Sequence, residues 1–216
     1  MPEPAASALT LYADSSWMSP WVFHAMVALE EKQLPYKLEI VPMPMPREIR
    51  AQLQPRTIVT EAPILAHGDT WISDSLAISE YLAETFPAPD HPRLFPAHLG
   101  DRARAREIMM FLRTRMLALR AARPTSSVLA RPNPKVMSDA AREDAAELER
   151  IALAVLPEGR TSLFGTWCIA DADLALALMR LIANQDPLPR RLHDYAIAQF
   201  DRKSVRRFMA NLPTSR

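Results

Sequence analysis

Cysteine is nearly absent from the chain. Cys168 is the only one, so an intramolecular disulfide and a cysteine-rich metal site are both excluded. A chain without disulfides is typical of a reducing compartment, where thiol chemistry mainly uses the thiol of a substrate. An excess of one charge is also absent, because 26 Lys and Arg residues oppose 25 Asp and Glu residues. Nucleic acids and anionic membranes are therefore disfavoured as partners, and we expect a small molecule.

Long apolar runs are absent too, and no segment has the length and hydrophobicity that a membrane span needs. Residues 1–7 lack the basic region and apolar run of a secretory signal, so we expect a cytoplasmic protein. The five histidines show no close ligand spacing, and we predict no metal site. What the chain does have is 49% hydrophobic residues over 216 positions, enough for the core of one large or two small domains.

Strand and helix patterns alternate over residues 1–86. They predict, in order, a strand at residues 9–12, a helix after Pro20, a strand at 36–40, a weak helix at 47–53, strands at 63–66 and 70–72 around the turn His67-Gly68-Asp69, and a helix after Ser75. Ser75 is the predicted N-cap of that last helix, which ends near Phe86. The predicted order of elements is therefore β-α-β-α-β-β-α.

Helical patterns alone occupy the second half of the chain. Three prolines fall within residues 87–93, and no strand pattern follows Leu99. Apolar stripes predict one long helix over residues 108–119 and further helices over residues 148–155, 174–182 and 205–209. We therefore predict an α/β domain at residues 1–86, a linker at 87–98 and an all-helical domain at 99–216.

Four segments resemble, in the right order, motifs of the glutathione transferase superfamily. They are Ser19-Pro20 with the run Ala28-Leu29-Glu30-Glu31-Lys32, then Ala62-Pro63-Ile64-Leu65, then Asp74-Ser75-Leu76-Ala77-Ile78-Ser79-Glu80-Tyr81-Leu82, and finally Cys168-Ile169-Ala170-Asp171-Ala172-Asp173. The first is similar to the start of serine-type members such as the tau and zeta classes. Residues 167–171 with Arg123-Pro124-Thr125 are similar to a bacterial group, the YfcF-like glutathione transferases. The resemblance implies a thioredoxin-like N-terminal domain, an all-helical C-terminal domain, glutathione as co-substrate and a homodimer.

The resemblance assigns thiol activation to Ser19. Free thiols have a pKa near ~8.5, and lowering it by about two units takes roughly 3 kcal/mol. A hydrogen bond to a charged acceptor contributes ~1.5–3 kcal/mol, and a helix N-terminus ~0.3–1 kcal/mol, rising toward ~2 when partly buried. Ser19, directly before Pro20, would combine both effects. Alternatively, Ser19 only caps the helix, and Ser15 and Ser16 are nearby competitors for the catalytic role.

The other glutathione contacts are also implied by the resemblance. Pro63 matches the family's cis proline, which would let the backbone of Ala62 pair with the tripeptide like a strand. The hydroxyl of Ser75 and the helix N–H groups would bind the γ-glutamyl carboxylate, and Asp74 would meet its ammonium group. Alternatively, Pro63 simply begins a strand, and Asp74 and Ser75 simply cap a helix.

Two parts of the site stay open at this point. No single basic residue clearly matches the group that holds the glycine carboxylate, and Arg47, Arg50 and Arg56 are candidates. The second substrate, a small hydrophobic electrophile or a peroxide, is bound between the domains in this family. The candidate pocket residues, several of which could instead belong to the core, are Trp17, Met18, Trp21, Phe111, Arg115 and Arg123.

Cys168 stands where the family's N-capping box has Ser or Thr, with Asp171 as the reciprocal partner. We expect a weakened structural cap. A thiol at a helix N-terminus can also be redox-active, although free cysteines are usually buried packing residues.

The predicted function is a glutathione transferase, with glutathione-dependent peroxidase or disulfide reductase activity not separable from conjugation. Serine at position 19 disfavours a mixed disulfide with the protein. The alternative is a non-catalytic relative that carries a ligand or binds another protein, because a fold does not secure a function.

Overall fold

The computed structural model describes residues 8–133 and 135–213. The chain forms two compact units that divide between Pro92 and Arg93. Residues 1–7, where no secretory signal is predicted, lie outside the described residues. In the described part of the chain, no helix is long and apolar enough to cross a membrane.

The first unit has the predicted order of elements. They are β1 (Leu9–Asp14), α1 (Pro20–Glu31), β2 (Tyr36–Val41), α2 (Arg47–Leu53), β3 (Ile64–His67), β4 (Thr70–Ser73) and α3 (Ser75–Thr85). The strands form one sheet in the order β2-β1-β3-β4, in which β1 and β2 are parallel and the other two pairs are antiparallel. This mixed sheet with its helices confirms the predicted thioredoxin-like fold.

Strand β1 lies in the middle of the sheet and is covered on both faces. Leu9, Leu11 and Ala13 alternate along the strand and are at most 4% exposed, so they line one face. On the other face, Tyr12 packs against a core cluster that also involves β2, β3, α2 and their connections. The cluster consists of Val41, Met45, Leu53 and Ile64, with Ile49 and Trp71 at its edge. The direction of β1 is therefore fixed by packing from two sides.

The β3–β4 hairpin confirms the turn predicted from the sequence. His67 pairs with Thr70, so only Gly68 and Asp69 connect the strands. Gly68 has a φ of 59°, the left-handed conformation that tight hairpin turns require and glycine adopts without steric cost.

The cap of α3 differs from the prediction, which named Ser75. The N-cap is Asp74, whose Oδ1 accepts hydrogen bonds from the N–H groups of Leu76 at 2.8 Å and Ala77 at 3.0 Å. Asp74 adopts a φ of 92°, and Ser75 becomes the first helical residue, 1% exposed. A carboxylate at position 74 reaches the second and third N–H groups of the helix, which is the preferred geometry of an aspartate cap.

The regular secondary structure described in the second unit is all helical. Its helices are α4 (Leu99–Thr114), α5 (Leu117–Ala122), α6 (Thr125–Leu129), α7 (Asp139–Val155), α8 (Ile169–Ile182), α9 (Arg190–Phe200) and α10 (Lys203–Met209). Leu94 and Phe95, which lie in the segment predicted as a linker, are buried, and the Leu94 C=O accepts the N–H of Ile169 at 2.9 Å. This part of the segment packs as part of the second unit.

The single long helix predicted over residues 108–119 is wrong, because α4 ends at Thr114 and α5 begins at Leu117. The N–H of Leu119 donates to Asp144 Oδ2 at 3.0 Å. In a continuous helix that N–H would instead bond to the C=O four residues earlier. A side chain from α7 therefore caps the start of a separate α5.

Helix α8 is the core of the second unit, and Asp171 in its first turn organises the surroundings. Its carboxylate accepts the N–H of Cys168 at 2.9 Å, the N–H of Leu163 at 2.9 Å and the O–H of Tyr195 at 2.8 Å. Burial raises the pKa of Asp171, although the hydrogen bonds from Cys168 and Leu163 oppose that rise. The predicted reciprocal partner of Cys168 is thus also the anchor of two other segments.

We expect Asp171→Ala to lower the free energy of unfolding by at least about 3 kcal/mol, because it leaves three buried donors unpaired at roughly 1–3 kcal/mol each. Urea unfolding followed by circular dichroism measures this loss. Asp139→Ala removes an exposed carboxylate that pairs with Arg142 in the same helix; it is the matched control and should cost less than about 1 kcal/mol. Equal losses in the two variants would contradict the anchoring role.

Candidate functional site

Ser19 lies at the N-terminus of α1, where its side chain caps the helix. With φ −76° and ψ 121°, it places Oγ 3.3 Å from the N–H of Trp21 and 3.3 Å from that of Val22. Pro20 follows as the first helical residue and has no N–H to satisfy. Both acceptor positions of the hydroxyl are used, and its O–H remains to donate away from the helix. Capping and donation by Ser19 are therefore compatible.

The two competing serines are held differently. The hydroxyl of Ser16 donates to Asp14 Oδ1 and accepts the N–H of Met18 at 3.2 Å. Ser15 Oγ accepts a backbone N–H from the segment after β2 at 3.1 Å. Both side chains are exposed, and neither lies at the first turn of a helix. Of the three serines, Ser19 alone combines a half-buried position with a helix N-terminus.

Ala62 and Pro63 lie directly before β3, and the peptide bond between them is cis. The antiparallel pairing of β3 with β1 ends at Ile64 and Tyr12. Ala62 is therefore beyond the paired part of the strand, and it is half-buried. A short peptide can add to the end of a sheet at such a position through main-chain hydrogen bonds.

Asp74 presents a negative charge beside the positive end of a helix. Oδ1 forms both cap hydrogen bonds, while Oδ2 takes part in neither and belongs to an exposed side chain. Ser75, by contrast, is buried at the first position of α3. An acidic oxygen next to a helix N-terminus complements a ligand that carries both an ammonium and a carboxylate group.

The three basic candidates for the glycine carboxylate differ in how they are held. Arg50 Nη1 donates to Thr60 Oγ1 at 3.3 Å, which ties this guanidinium to the loop leading into β3. The guanidinium of Arg56 lies 4.8 Å from the ring centre of Trp71 in a cation–π contact. Arg47 is exposed in the first turn of α2. Arg50 is thus the candidate joined directly to the segment that carries Ala62.

Three of the predicted pocket residues belong to the first unit and surround Ser19 in the sequence. Trp17 is 6% exposed and has a φ of 57°, whereas Met18 and Trp21 are half-buried. Trp17 therefore fits the core interpretation, and Met18 and Trp21 keep surface that a ligand can contact.

The other three predicted pocket residues belong to the second unit. Phe111 is half-buried and Arg115 is exposed. Arg123 is 3% exposed, pairs with both carboxylate oxygens of Asp186 at 2.6 and 2.8 Å, and donates to the Lys135 C=O at 2.8 Å. Its donors are committed within the unit, which favours a structural role for Arg123.

Cys168 is 1% exposed at the N-cap of α8. Burial raises the pKa of its thiol well above the ordinary value, and the charge of Asp171 raises it further. The thiol is therefore held protonated, which opposes a redox role. In the described part of the chain, no group of three or more His, Cys, Asp or Glu residues is arranged to hold a metal ion.

We expect Cys168 in the folded protein to resist alkylation by iodoacetamide at pH 8, because only the thiolate reacts and burial disfavours it. Adding urea above the unfolding midpoint should release full reactivity, and mass spectrometry counts the modified thiol. Rapid alkylation under native conditions, at the rate of free glutathione, would contradict this account.

Sequence reasoning does not identify Asp14 as a functional residue, although Asp14 lies at the end of β1 next to the site. The one local signal is the order Asp14-Ser15-Ser16, because an aspartate side chain can accept the N–H two residues later and so form a turn. Asp14 Oδ1 does accept the N–H of Ser16, at 3.0 Å.

Family comparisons agree with both units. A model described as "Glutathione S-transferase, N-terminal domain" matches residues 15–90, and one described as "Glutathione S-transferase, C-terminal domain" matches residues 98–213.

Individual proteins extend this similarity. Glutathione S-transferase U13 of Arabidopsis thaliana is 35% identical over 91 residues, a match that spans 42% of this chain and only 39% of that relative. A probable maleylacetoacetate isomerase of Vibrio cholerae is 33% identical over 101 residues, covering 44% of this chain and 43% of the relative. The crystal structure of a glutathione transferase homolog from Burkholderia strain BGR1, with bound glutathione, covers 94% of this chain and 97% of its own, with 30% identity and a TM-score of 0.78.

Proposed function

The chain belongs to the glutathione S-transferase family, and from this we propose that it binds glutathione and activates its thiol through Ser19 for attack on small electrophiles. The observation that carries the proposal is the geometry of Ser19, whose Oγ accepts two helix N–H groups while its O–H remains to donate. Glutathione bound to a homolog of similar fold, 30% identical, supports the choice of ligand.

The chemistry follows from two local effects on the glutathione sulfur. The Ser19 O–H donates to the thiolate, and donation is strengthened because the same oxygen accepts two N–H bonds. The N-terminus of α1, a helix of 12 residues, adds a positive potential at the same point. Together these effects reach the roughly 3 kcal/mol that a shift of about two pKa units requires. The glutathione thiol releases its proton to solvent, and the thiolate forms a carbon–sulfur bond with the electrophilic carbon. The bond from that carbon to the leaving group breaks, and the leaving group takes the bonding electron pair.

The tripeptide is held by three parts of the first unit. The backbone of Ala62 pairs with the cysteinyl residue like an added strand, and the free oxygen of Asp74 meets the γ-glutamyl ammonium. The N-terminus of α3, with Ser75, binds the γ-glutamyl carboxylate. We assign the glycine carboxylate to Arg50, which Thr60 holds at the loop before β3. Met18 and Trp21 are the proposed contacts of the electrophile near the sulfur.

We place the chain among the serine-type members, with the bacterial YfcF-like group as the nearest class, and we expect the homodimer that is common in the family.

Conjugation is proposed as the main reaction. A mixed-disulfide mechanism would need a reactive protein thiol, and Cys168 is buried with a raised pKa. Peroxide reduction stays compatible with the same thiolate, because glutathione itself can supply both electrons as two molecules form one disulfide.

We expect Ser19→Ala to lower kcat/KM at pH 7 by about 10- to 100-fold, the value of a hydrogen bond to a charged acceptor. The deficit should shrink above pH ~8.5, where the thiol ionises without help. Conjugation of 1-chloro-2,4-dinitrobenzene measures the rate, and isothermal titration should show glutathione binding largely unchanged. Ser15→Ala, in the same loop, is the matched control. Glutathione binding without turnover in the wild type would instead support a ligand carrier.

Arg50→Ala should raise KM for glutathione by roughly tenfold, equivalent to about 1.4 kcal/mol, and leave kcat within about twofold. Binding to the glycine end acts equally on the ground and transition states, which is why KM alone changes. Arg47→Ala, on the same helix, tests the assignment in a steady-state assay. A tenfold rise for Arg47→Ala and none for Arg50→Ala would assign the carboxylate to Arg47.

A further inference from the structure

The carboxylate of Asp14 is buried at the end of β1, where the proposed chemistry does not use it. Asp14 is 4% exposed, and its Oδ2 has no hydrogen-bond partner among the described residues. A buried polar atom without a partner is costly, whereas an apolar side chain of similar size would fill the same space without that cost. Packing alone therefore does not account for an aspartate at this position.

The hydrogen bonds of Asp14 organise the loop that leads to Ser19. Oδ1 accepts both the N–H of Ser16, at 3.0 Å, and its hydroxyl. The backbone C=O of Asp14 accepts the N–H of Trp17 at 3.3 Å. Ser16 Oγ in turn accepts the N–H of Met18 at 3.2 Å. Residues 16, 17 and 18 are thus each tied to Asp14, directly or through Ser16.

The loop needs such restraint because Trp17 has an unfavourable backbone conformation. Its φ of 57° lies in the left-handed region, which a bulky side chain rarely adopts. Such a conformation persists only where the surrounding structure holds it. The Asp14 carboxylate holds the neighbouring Ser16, the Asp14 C=O holds the N–H of Trp17, and burial holds the Trp17 side chain.

The position of Asp14 in the sheet links this loop to the proposed glutathione segment. In the antiparallel pairing of β1 with β3, Tyr12 lies opposite Ile64. Continuing that register beyond the paired stretch places Asp14 opposite Ala62. The residue that orders the Ser19 loop therefore lies at the same end of the sheet as the backbone proposed to bind glutathione.

We propose that Asp14 is a positioning residue for thiol activation, whose carboxylate holds Ser16, and through Ser16 the N–H of Met18, so that the Ser19 hydroxyl donates to the glutathione sulfur. The proposal rests on the proposed function of Ser19. A hydrogen bond weakens steeply as its angle departs from linearity, so a small rotation of Ser19 reduces its effect on the thiol. Asp14 itself touches neither the sulfur nor the electrophile in this account.

The test compares Asp14→Ala and Asp14→Asn with the wild type, using 1-chloro-2,4-dinitrobenzene conjugation over a range of pH. In Asp14→Ala the acid limb of the kcat profile should move up by about one pH unit, which is about a tenfold loss at neutral pH. Asp14→Asn keeps an oxygen at Oδ1 for Ser16 and should recover activity to within about threefold of wild type. Glutathione affinity, measured by calorimetry, should change less than about threefold in both.

Asp144→Ala is the matched control, since Asp144 also accepts one backbone N–H, from Leu119 at 3.0 Å, but in the second unit. Its thermal stability should fall like that of Asp14→Ala while its pH profile stays at the wild-type position. If Asp14→Ala does not fold, Ser16→Ala removes one of the same bonds and is expected to shift the acid limb in the same direction.

Two outcomes overturn the proposal for Asp14 and leave the proposed function of Ser19 standing. The first is a folded Asp14→Ala with the wild-type pH profile, when Ser19→Ala has lost activity as expected. The second is an Asp14→Asn as impaired as Asp14→Ala, because the charge rather than the hydrogen bonds would then be acting. A wild type that does not bind glutathione, or an unimpaired Ser19→Ala, overturns the proposed function and this inference together.

Discussion

The cap of α1 is the interaction on which the rest of the site depends. One oxygen, Ser19 Oγ, accepts two backbone N–H groups and thereby fixes where its own hydrogen can point. The helix behind it is buried along most of its length, and His24 in α1 lies 3.1 Å from the Ser79 hydroxyl in α3. The strand before it is held on both faces. A hydroxyl on such a support keeps its orientation when a ligand arrives, so little reorganisation is needed to stabilise a thiolate.

The exposure of a side chain at a helix N-terminus determines whether a ligand can reach it, as Asp171, Asp74 and Ser19 illustrate. Asp171 is completely buried and accepts hydrogen bonds from Leu163, Cys168 and Tyr195, which favours a structural role in the second unit. Asp74 uses the same carboxylate chemistry but is exposed, so one oxygen stays open to a ligand. Ser19 is half-buried between these extremes. These three residues at helix N-termini thus have a structural role, a proposed binding role and a proposed catalytic role, respectively.

Local patterns in the sequence predicted the order of elements in the first unit, because strands, helices and the hairpin turn each have a short-range periodicity or turn chemistry. The N-cap of α3 is Asp74 and not the predicted Ser75, because aspartate and serine are both preferred N-cap residues and local sequence does not choose between two adjacent candidates. The break before α5 depends on Asp144, a residue distant in sequence that accepts the N–H of Leu119. The loop role of Asp14 likewise required coordinates. The candidate site itself came from family motifs, not from periodicity.

The ionisation of bound glutathione is the most direct test of the account. Ultraviolet difference absorbance of the protein–glutathione complex, recorded across pH for the wild type and Ser19→Ala, reports the thiolate without requiring a second substrate. We predict a wild-type midpoint about two units below the free thiol value of ~8.5, and a midpoint about one to two units higher in the variant, because Ser19→Ala removes the hydroxyl and keeps the N-terminus of α1. The same midpoint in both proteins, with glutathione bound to each, would contradict thiol activation by Ser19.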